Sequence, residues 1–165
     1  MADRFLSIAA HPDDLDFGAA GTTATLTAAG HEVVYCLVTN GDAGGFDHTI
    51  SRAQMAEIRK QEQAAAAKVV GVEELHYLGF PDGAVVADLD LRKAISRVIR
   101  HVQPDHVITQ SANRDYDRIY ASPPDHLATG EASLAAIYPE ARNQFAFPEL
   151  LSQEGLEPHT VGEVW

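Results

Sequence analysis

A near-continuous apolar run from Val33 to Thr39 constrains the fold more than any other stretch of the chain. A strand with one face in water alternates apolar and polar residues, whereas an unbroken apolar run is typical of a parallel strand that is buried on both faces. Parallel neighbours in a sheet must be joined by a crossover, which is usually a helix. The run therefore predicts a parallel sheet with helices packed on both sides.

The rest of the chain alternates short apolar runs with helix-forming segments. Strands are predicted at 5–10, 33–39, 75–78 and 106–109, and helices at 18–29, 51–70, 88–101 and 124–137. This β-α-β-α order predicts an α/β fold, a Rossmann-like doubly wound and mainly parallel sheet with right-handed crossovers. In the helix at 51–70, we expect Met55, Ile58, Ala65 and Val69 to share the buried face.

Length predicts one domain, because 165 residues suffice for a single core and are too few for two ordinary ones. We therefore treat residues 1–165 as one domain. The stretch from Val161 to Trp165 resembles the opening of a further strand that stops abruptly. For this reason we expect the natural chain to continue and the C-terminal part of the domain to be missing.

Charge and cysteine content narrow the classes of partner. The chain has 12 basic and 24 acidic residues, a net charge of −12, which repels phosphate backbones and argues against nucleic-acid binding. No apolar stretch approaches the length that spans a membrane, so no membrane insertion is expected. The single cysteine, Cys36, lies inside the apolar run and excludes an intrachain disulfide. We expect a soluble, cytoplasmic protein.

Three residues with metal-binding or acid-base side chains follow the first strand. His11, Asp13 and Asp14 lie at the carboxyl edge of the predicted sheet, where open α/β sheets bind ligands. Far along the chain, His126 offers a second imidazole at the start of a helix. Nitrogen and oxygen donors of this kind suit zinc. The alternative is a solvated strand-to-helix turn in which an aspartate caps the helix.

Four motifs in this order resemble the LmbE-like, or PIG-L, zinc-dependent de-N-acetylases. They are Ala10-His11-Pro12-Asp13-Asp14, Thr39-Asn40-Gly41-Asp42-Ala43-Gly44-Gly45, the pair Arg59 and Glu62, and Pro124-Asp125-His126. The resemblance implies that His11, Asp14 and His126 hold Zn²⁺ and that Asp13 is the general base. The implied reaction removes an N-acetyl group from an amino sugar or a sugar conjugate, a small-molecule substrate.

The resemblance also implies roles around the metal. Asp42 and Arg59 are expected to line the substrate pocket, although Arg59 could simply pair with Glu62 one helical turn away. Asp125 is expected to hold His126 or another site residue in place, or only to face the dipole of its helix. The position of the long polar stretch after the fourth strand separately favours substrate contact, with Arg118 or Asp117 reaching sugar hydroxyls, unless this stretch is merely solvated.

One position departs from the family pattern. Family members usually carry His-Pro-Asp-His, whereas this chain has Pro123 before Pro124-Asp125-His126. The imidazole that assists the oxyanion or the leaving group is therefore absent, and we expect the metal site to survive while turnover falls. A non-catalytic metal-binding or sugar-binding protein is the alternative. A nucleotide-binding role for the glycine-rich turn is weaker, because the turn lacks the Lys-Ser/Thr ending of a P-loop.

Two other stretches carry weaker predictions. Pro104-Asp105-His106 repeats the Pro-Asp-His pattern but enters a strand, so we expect it at the amino edge of the sheet, away from the site. Phe145-Ala146-Phe147-Pro148 is aromatic, and packing against a second copy of the chain is its simplest use. A homo-oligomer is therefore a further expectation.

Overall fold

A computed structural model of the chain describes residues 2–165 and contains one five-stranded sheet. The strands are β1 (Arg4–Ala9), β2 (Glu32–Thr39), β3 (Glu74–Phe80), β4 (His106–Thr109) and β5 (Glu163–Val164). They lie in the order β3-β2-β1-β4-β5, and every neighbouring pair is parallel. The predicted α/β fold is confirmed, and the expected strand at 161–165 forms as β5.

Residues 2–165 contain six α-helices. They are α1 (Asp14–Gly18), α2 (Ala20–Ala28), α3 (Arg52–Val69), α4 (Leu89–Val102), α5 (Pro124–Ala135) and α6 (Pro148–Ser152). The segment Ala136–Glu140 follows α5, and its backbone leaves the helical region at Tyr138, with φ −144° and ψ 118°. The helix predicted at 18–29 forms as α2 at Ala20–Ala28. It begins after Ala19, where the backbone leaves the helical region with φ −135° and separates α2 from the short α1, which was not predicted.

The central strands are buried on both faces, as the apolar run predicted. Leu6 and Val34 belong to one cluster, which they form with residues of α4 and α5. Phe5 and Tyr35, their immediate neighbours in sequence, belong to a second cluster on the opposite face, with Ala67 of α3. Because successive side chains point to opposite faces, a strand between two helical layers needs apolar residues at every position.

The buried face of α3 differs from the prediction. Val69 is 86% exposed and Ile58 is 39% exposed, whereas Gln63 and Ala67 are buried. Gln63 points inward because its side chain bonds to the turn that follows β1, which the hydrophobic pattern could not show. Gln63 therefore occupies the buried face of α3, where the hydrophobic pattern had predicted apolar residues.

The amino edge of the sheet carries the second Pro-Asp-His motif, as expected. Asp105 accepts a hydrogen bond from the backbone N–H of Arg4 at 2.8 Å, and the ring of His106 stacks on Phe5 with centroids 4.5 Å apart. Both residues stabilise the start of β1 and β4. Within residues 2–165, no helix combines the length and the apolar character needed to cross a membrane.

Candidate metal centre and its cavity

The turn after β1 lies where the strand order reverses. β1 has β2 on one side and β4 on the other, and ligands of open α/β sheets bind at this switch point. Gln110, directly after β4, accepts a hydrogen bond from the backbone N–H of Ala10 at 3.0 Å and donates one to Asp14 at 3.1 Å. The backbone N–H of His11 also donates to Asp14, at 2.8 Å. These bonds fix the turn against β4.

The three predicted metal ligands converge. Asp14 Oδ2 lies 3.4 Å from His11 Nδ1, and Asp14 Oδ1 lies 3.0 Å from His126 Nε2. One donor atom from each residue can be chosen so that all three lie within 4.8 Å of one another. Donor atoms around a tetrahedral zinc ion are about 3.4 Å apart, given bonds of about 2.0–2.2 Å. The donor set and its spacing therefore fit a divalent ion.

The charges of this group reinforce one another. Burial lowers the pKa of His11, but hydrogen bonds and charge attraction from Asp14, with help from Asp125 and Asp82, outweigh it and raise the pKa to about 9. Burial likewise raises the pKa of Asp14, yet its bonds to His11 and His126 hold that pKa well below the usual range. The carboxylate of Asp14 is thus kept ionised, which is the form that binds a metal.

Asp125 acts on His11. Its carboxylate is 4% exposed, lies 3.1 Å from His11 Nε2, and accepts backbone hydrogen bonds from Gly83 at 2.7 Å and Val85 at 3.2 Å. Asp125 thus contacts His11 among the predicted ligands, and its role in holding a site residue stays a prediction. The same contacts join the loop after β3 to the first turn of α5, which carries His126.

Asp13 occupies a strained position beside this group. Its φ of 92° lies in the left-handed region, which residues other than glycine rarely adopt. Gln63 accepts a hydrogen bond from the backbone N–H of Asp13 at 2.7 Å, and Arg59 donates to the Asp13 carboxylate at 2.6 Å. Arg59 also donates to the carbonyl of Pro12 at 2.8 Å and to Glu62 at 3.0 Å. The pairing with Glu62 and the site contact therefore coexist.

A cavity of about 340 Å³ opens over the turn. His11, Asp13, Arg59 and Asp82 line it, together with the backbone of the glycine-rich turn at 41–45. Its volume is in the range of small-molecule pockets. A larger cavity of about 620 Å³ near Tyr138 and Phe145 contains none of the predicted ligands.

Asp42 and Arg118 are not brought into this group. The carboxylate of Asp42 pairs with Arg52 at 2.7 Å and accepts the backbone N–H of Asp82 at 3.0 Å, so it links the turn after β2 to the loop after β3. Arg118 is exposed and donates to the hydroxyl of Tyr120 at 3.2 Å. Their substrate contacts stay predictions.

The sequence reasoning missed three site residues: Asp82, Gln63 and Gln110. Asp82 Oδ1 lies 3.3 Å from His11 Nε2. Its position directly after β3, between Pro81 and Gly83, could have indicated it, since two neighbouring strands already ended in aspartates. Nothing local distinguishes the two glutamines, because their roles depend on which strand and helix lie beside the turn.

Comparison with known proteins bears directly on this geometry. The family model described as PIG-L, GlcNAc-PI de-N-acetylase, matches residues 6–137, which include the turn after β1 and His126. The chain belongs to the PIG-L family. The resemblance inferred from the four motifs is thereby confirmed.

Individual PIG-L relatives match nearly the whole chain. A diacetylchitobiose deacetylase from Thermococcus kodakarensis is 32% identical over 161 residues, covering 98% of this chain and 58% of the relative. A probable N-acetyl-alpha-D-glucosaminyl L-malate deacetylase 2 from Bacillus anthracis is 30% identical over 165 residues, covering 93% of this chain and 70% of the relative.

A solved structure shows the same fold. N,N'-diacetylchitobiose deacetylase from Pyrococcus horikoshii, in complex with an inhibitor, superimposes with a TM-score of 0.90 and 30% sequence identity, covering 98% of this chain and 58% of that chain. The present chain thus spans little more than half the length of the two diacetylchitobiose deacetylases.

Proposed function

We propose that this chain hydrolyses the N-acetyl group of an amino sugar or a sugar conjugate. One observation carries the proposal: donor atoms of His11, Asp14 and His126 lie within 4.8 Å of one another at the carboxyl edge of the sheet, with Asp13 beside them. Membership of the PIG-L family and similarity to diacetylchitobiose deacetylase and to a probable N-acetyl-alpha-D-glucosaminyl L-malate deacetylase support the reaction class.

His11, Asp14 and His126 would hold a divalent ion, for which we propose Zn²⁺. Two imidazoles and one carboxylate are the protein ligands of several catalytic zinc sites. When bound, such an ion supplies Lewis acidity, which activates water near neutral pH and polarises an acyl oxygen. Asp125 and Gln110 orient two of the ligands through the hydrogen bonds described above.

Asp13 is the proposed general base. Its carboxylate lines the cavity and would accept a proton from water as the water oxygen bonds to the acyl carbon. The same carboxyl group can return the proton to the nitrogen as the carbon–nitrogen bond breaks, which yields acetate and a free amine. Arg59 holds this carboxylate in place. We also propose that Asp42, Arg59 and Arg118 contact the sugar.

Pro123 bears on the rate. It directly precedes α5, and no ionisable side chain stands at that position. General acid-base assistance raises a reaction rate by ~10²–10⁴-fold, and Pro123 cannot provide it, so we propose that turnover is low. Pro123→His tests it by acetate release from N,N'-diacetylchitobiose. A gain in rate supports a weakened enzyme, whereas a metal-loaded chain that is inactive with and without the change supports a non-catalytic binding protein.

Metal analysis is the first experiment. Protein purified without chelator should contain one equivalent of zinc at this centre and release acetate, and His11→Ala or Asp14→Asn should abolish both. His48→Ala is the matched control, because His48 is exposed and belongs to neither group that contains His11. Unchanged zinc content in His11→Ala would contradict the proposed centre.

The proposal extends to the location of the protein in the cell. We propose that the protein is cytoplasmic. The support is a single buried cysteine, Cys36, which leaves no intrachain disulfide to be formed in an oxidising compartment. Separation of the host's compartments, followed by detection of the chain in each, tests this.

A further inference from the structure

A second group of metal-binding side chains lies at the opposite end of the sheet. Glu74 and His76 begin β3, and His101 lies in the last turn of α4. Glu74 Oε1 is 2.7 Å from His76 Nε2 and 3.9 Å from His101 Nε2. One donor atom of each residue lies within 4.8 Å of the others. Glu74 and Phe80 are the two ends of β3, about 20 Å of strand apart, so this group is separate from the cavity over the turn after β1.

Strand and helix geometry preorganise the group. Alternate residues of a strand share a face, so Glu74 and His76 point to the same side of β3 as Leu78, which packs against the cluster containing α4. β3 is an edge strand, so no further strand pairs with its outer side beside this group. The end of α4 carries the negative pole of the helix, which favours a cation beside His101.

From this geometry we infer that Glu74, His76 and His101 form a second site for a divalent transition-metal ion such as Zn²⁺. Two imidazoles and a carboxylate are the required donors, and the 2.7–3.9 Å separations bracket the spacing of about 3.4 Å around a tetrahedral ion. The side chains of His76, Glu74 and His101 are 27%, 41% and 58% exposed, so an ion can reach them and small rotations can complete the geometry.

Two arginines lie near this group, and each is paired with another carboxylate: Arg4, whose charge acts on Glu74, bonds to Glu32 at 2.8 Å, and Arg97 bonds to Glu154. A cavity of about 300 Å³ borders His76 and His101, and Arg97 is the cationic residue among its lining side chains. Two nitrogens of the Arg97 guanidinium, Nε and Nη2, donate to the Glu154 carboxylate at 2.7 and 3.0 Å, so that carboxylate balances the charge of Arg97. An ion held between β3 and α4 would join the edge strand to the end of a helix. It would stabilise the folded chain and take no part in turnover.

The test separates the two metal sites by substitution. His11 belongs to the group with Asp14 and His126 and also to one with Asp82 and Asp125, so His11→Ala disables both. We expect the His11→Ala chain to take up one equivalent of zinc in equilibrium dialysis against ZnCl₂, with a higher Tm when zinc is present. Adding His76→Ala and His101→Ala should remove this equivalent and the Tm increase, whereas adding His48→Ala should leave both.

Measurements on the unsubstituted chain make the result independent of folding defects in variants. Imidazole NMR resonances of His76 and His101 should shift on zinc addition, in a saturable manner. If the centre of His11, Asp14 and His126 does not bind zinc, the unsubstituted chain would take up one equivalent of zinc, and His76→Ala combined with His101→Ala would remove it. That result is distinguishable from failure of the second site. Absence of saturable uptake by His11→Ala, unshifted His76 and His101 resonances, or uptake that persists without both histidines would overturn the inference.

Discussion

Asp13, the proposed general base, has a strained backbone conformation with φ 92°. A left-handed backbone at a residue other than glycine costs about 1–3 kcal/mol and persists where the surroundings over-determine it. Here Gln63 holds the backbone N–H and Arg59 holds both the Asp13 carboxylate and the carbonyl of Pro12. The strain places the carboxylate over the cavity, beside the convergent ligands, without making it one of them.

Asp13→Asn should separate catalysis from metal binding. The amide keeps the size of the side chain but accepts no proton at neutral pH, so acetate release should fall by ~10²–10⁴-fold while zinc content stays unchanged. Asp16→Asn is the matched control, because its amide oxygen can still accept the hydrogen bond from Gln63 and its rate should stay close to that of the parent. Comparable rates for Asp13→Asn and the parent would exclude Asp13 as the base.

Cys36 gives a pH-dependent prediction. Burial raises the pKa of its thiol to about 12, from an ordinary value of 9.0. The folded chain therefore keeps the thiol neutral, and iodoacetamide at pH 8 should modify Cys36 only after unfolding. Below about pH 9 the thiol is neutral in both states; between about 9 and 12 only the unfolded chain ionises, so Cys36 should lower the free energy of unfolding as pH rises. Rapid labelling of the folded chain would contradict its burial.

At the scale of elements, one close approach positions α5. A Cβ built at Gly130 would lie 2.4 Å from the carbonyl oxygen of Gln110 and 2.8 Å from the backbone nitrogen of Ala112. Only glycine allows α5 to lie this close to the segment after β4. Because α5 carries His126 and that segment carries Gln110, this contact sets the distance between parts of the proposed metal centre.

Gly130→Ala should therefore push α5 away from the segment after β4. We expect the free energy of unfolding to fall by about 1–3 kcal/mol, as for other overpacked sites, and zinc affinity to weaken. In Gly21→Ala, the same change in α2 meets no atom within 4 Å and should stabilise the chain by about 0.5–1 kcal/mol. Urea unfolding curves compare the two, and equal stabilities would contradict the close approach.

At the scale of the whole molecule, α4 anchors the segment that follows α5. Arg92 pairs with Glu140 and Lys93 with Glu149. Arg100 is 1% exposed and donates to four backbone carbonyls, those of Glu140, Ala141, Asn143 and Ala146. Three of these carbonyls, those of Glu140, Ala141 and Asn143, also accept a backbone N–H, so the buried guanidinium adds a second hydrogen bond to each of them and supplies one to Ala146.

Arg100→Met should destabilise the chain by about 3 kcal/mol or more, because four carbonyls lose a charged donor and each such bond is worth about 1 kcal/mol. Arg97→Met removes a partly exposed pair with Glu154 and should cost about 1 kcal/mol or less. Thermal unfolding measures both. A cost for Arg100→Met no larger than that for Arg97→Met would show that the carbonyls find other donors.

The expectation of one domain is also testable at this scale. Two apolar clusters lie on opposite faces of a single sheet and share its strands, so neither can be lost alone. We expect a single unfolding transition in which tryptophan fluorescence of Trp165 and far-ultraviolet circular dichroism change together. Separate transitions for the two probes would show that β5 and its surroundings unfold independently.

The apolar runs and motifs along the sequence were sufficient to predict the α/β fold and much of the candidate site. The near-continuous apolar run of β2 predicted a sheet covered on both faces, since burial on two sides favours apolar residues on both faces of the strand. The motifs around His11 and His126 predicted that these side chains and Asp14 would lie together, because residues that follow parallel strands meet at one edge of the sheet.

Contacts between distant segments were decided by the tertiary structure alone. Which carboxylate approaches His11 depends on the neighbouring loops, and the answer is Asp82 and Asp125, while Asp42 pairs with Arg52. The inward turn of Gln63 and the group of Glu74, His76 and His101 likewise join residues from separate strands and helices. Sequence periodicity reports which side of an element is apolar, but a polar contact across the molecule exists only once both partners are placed.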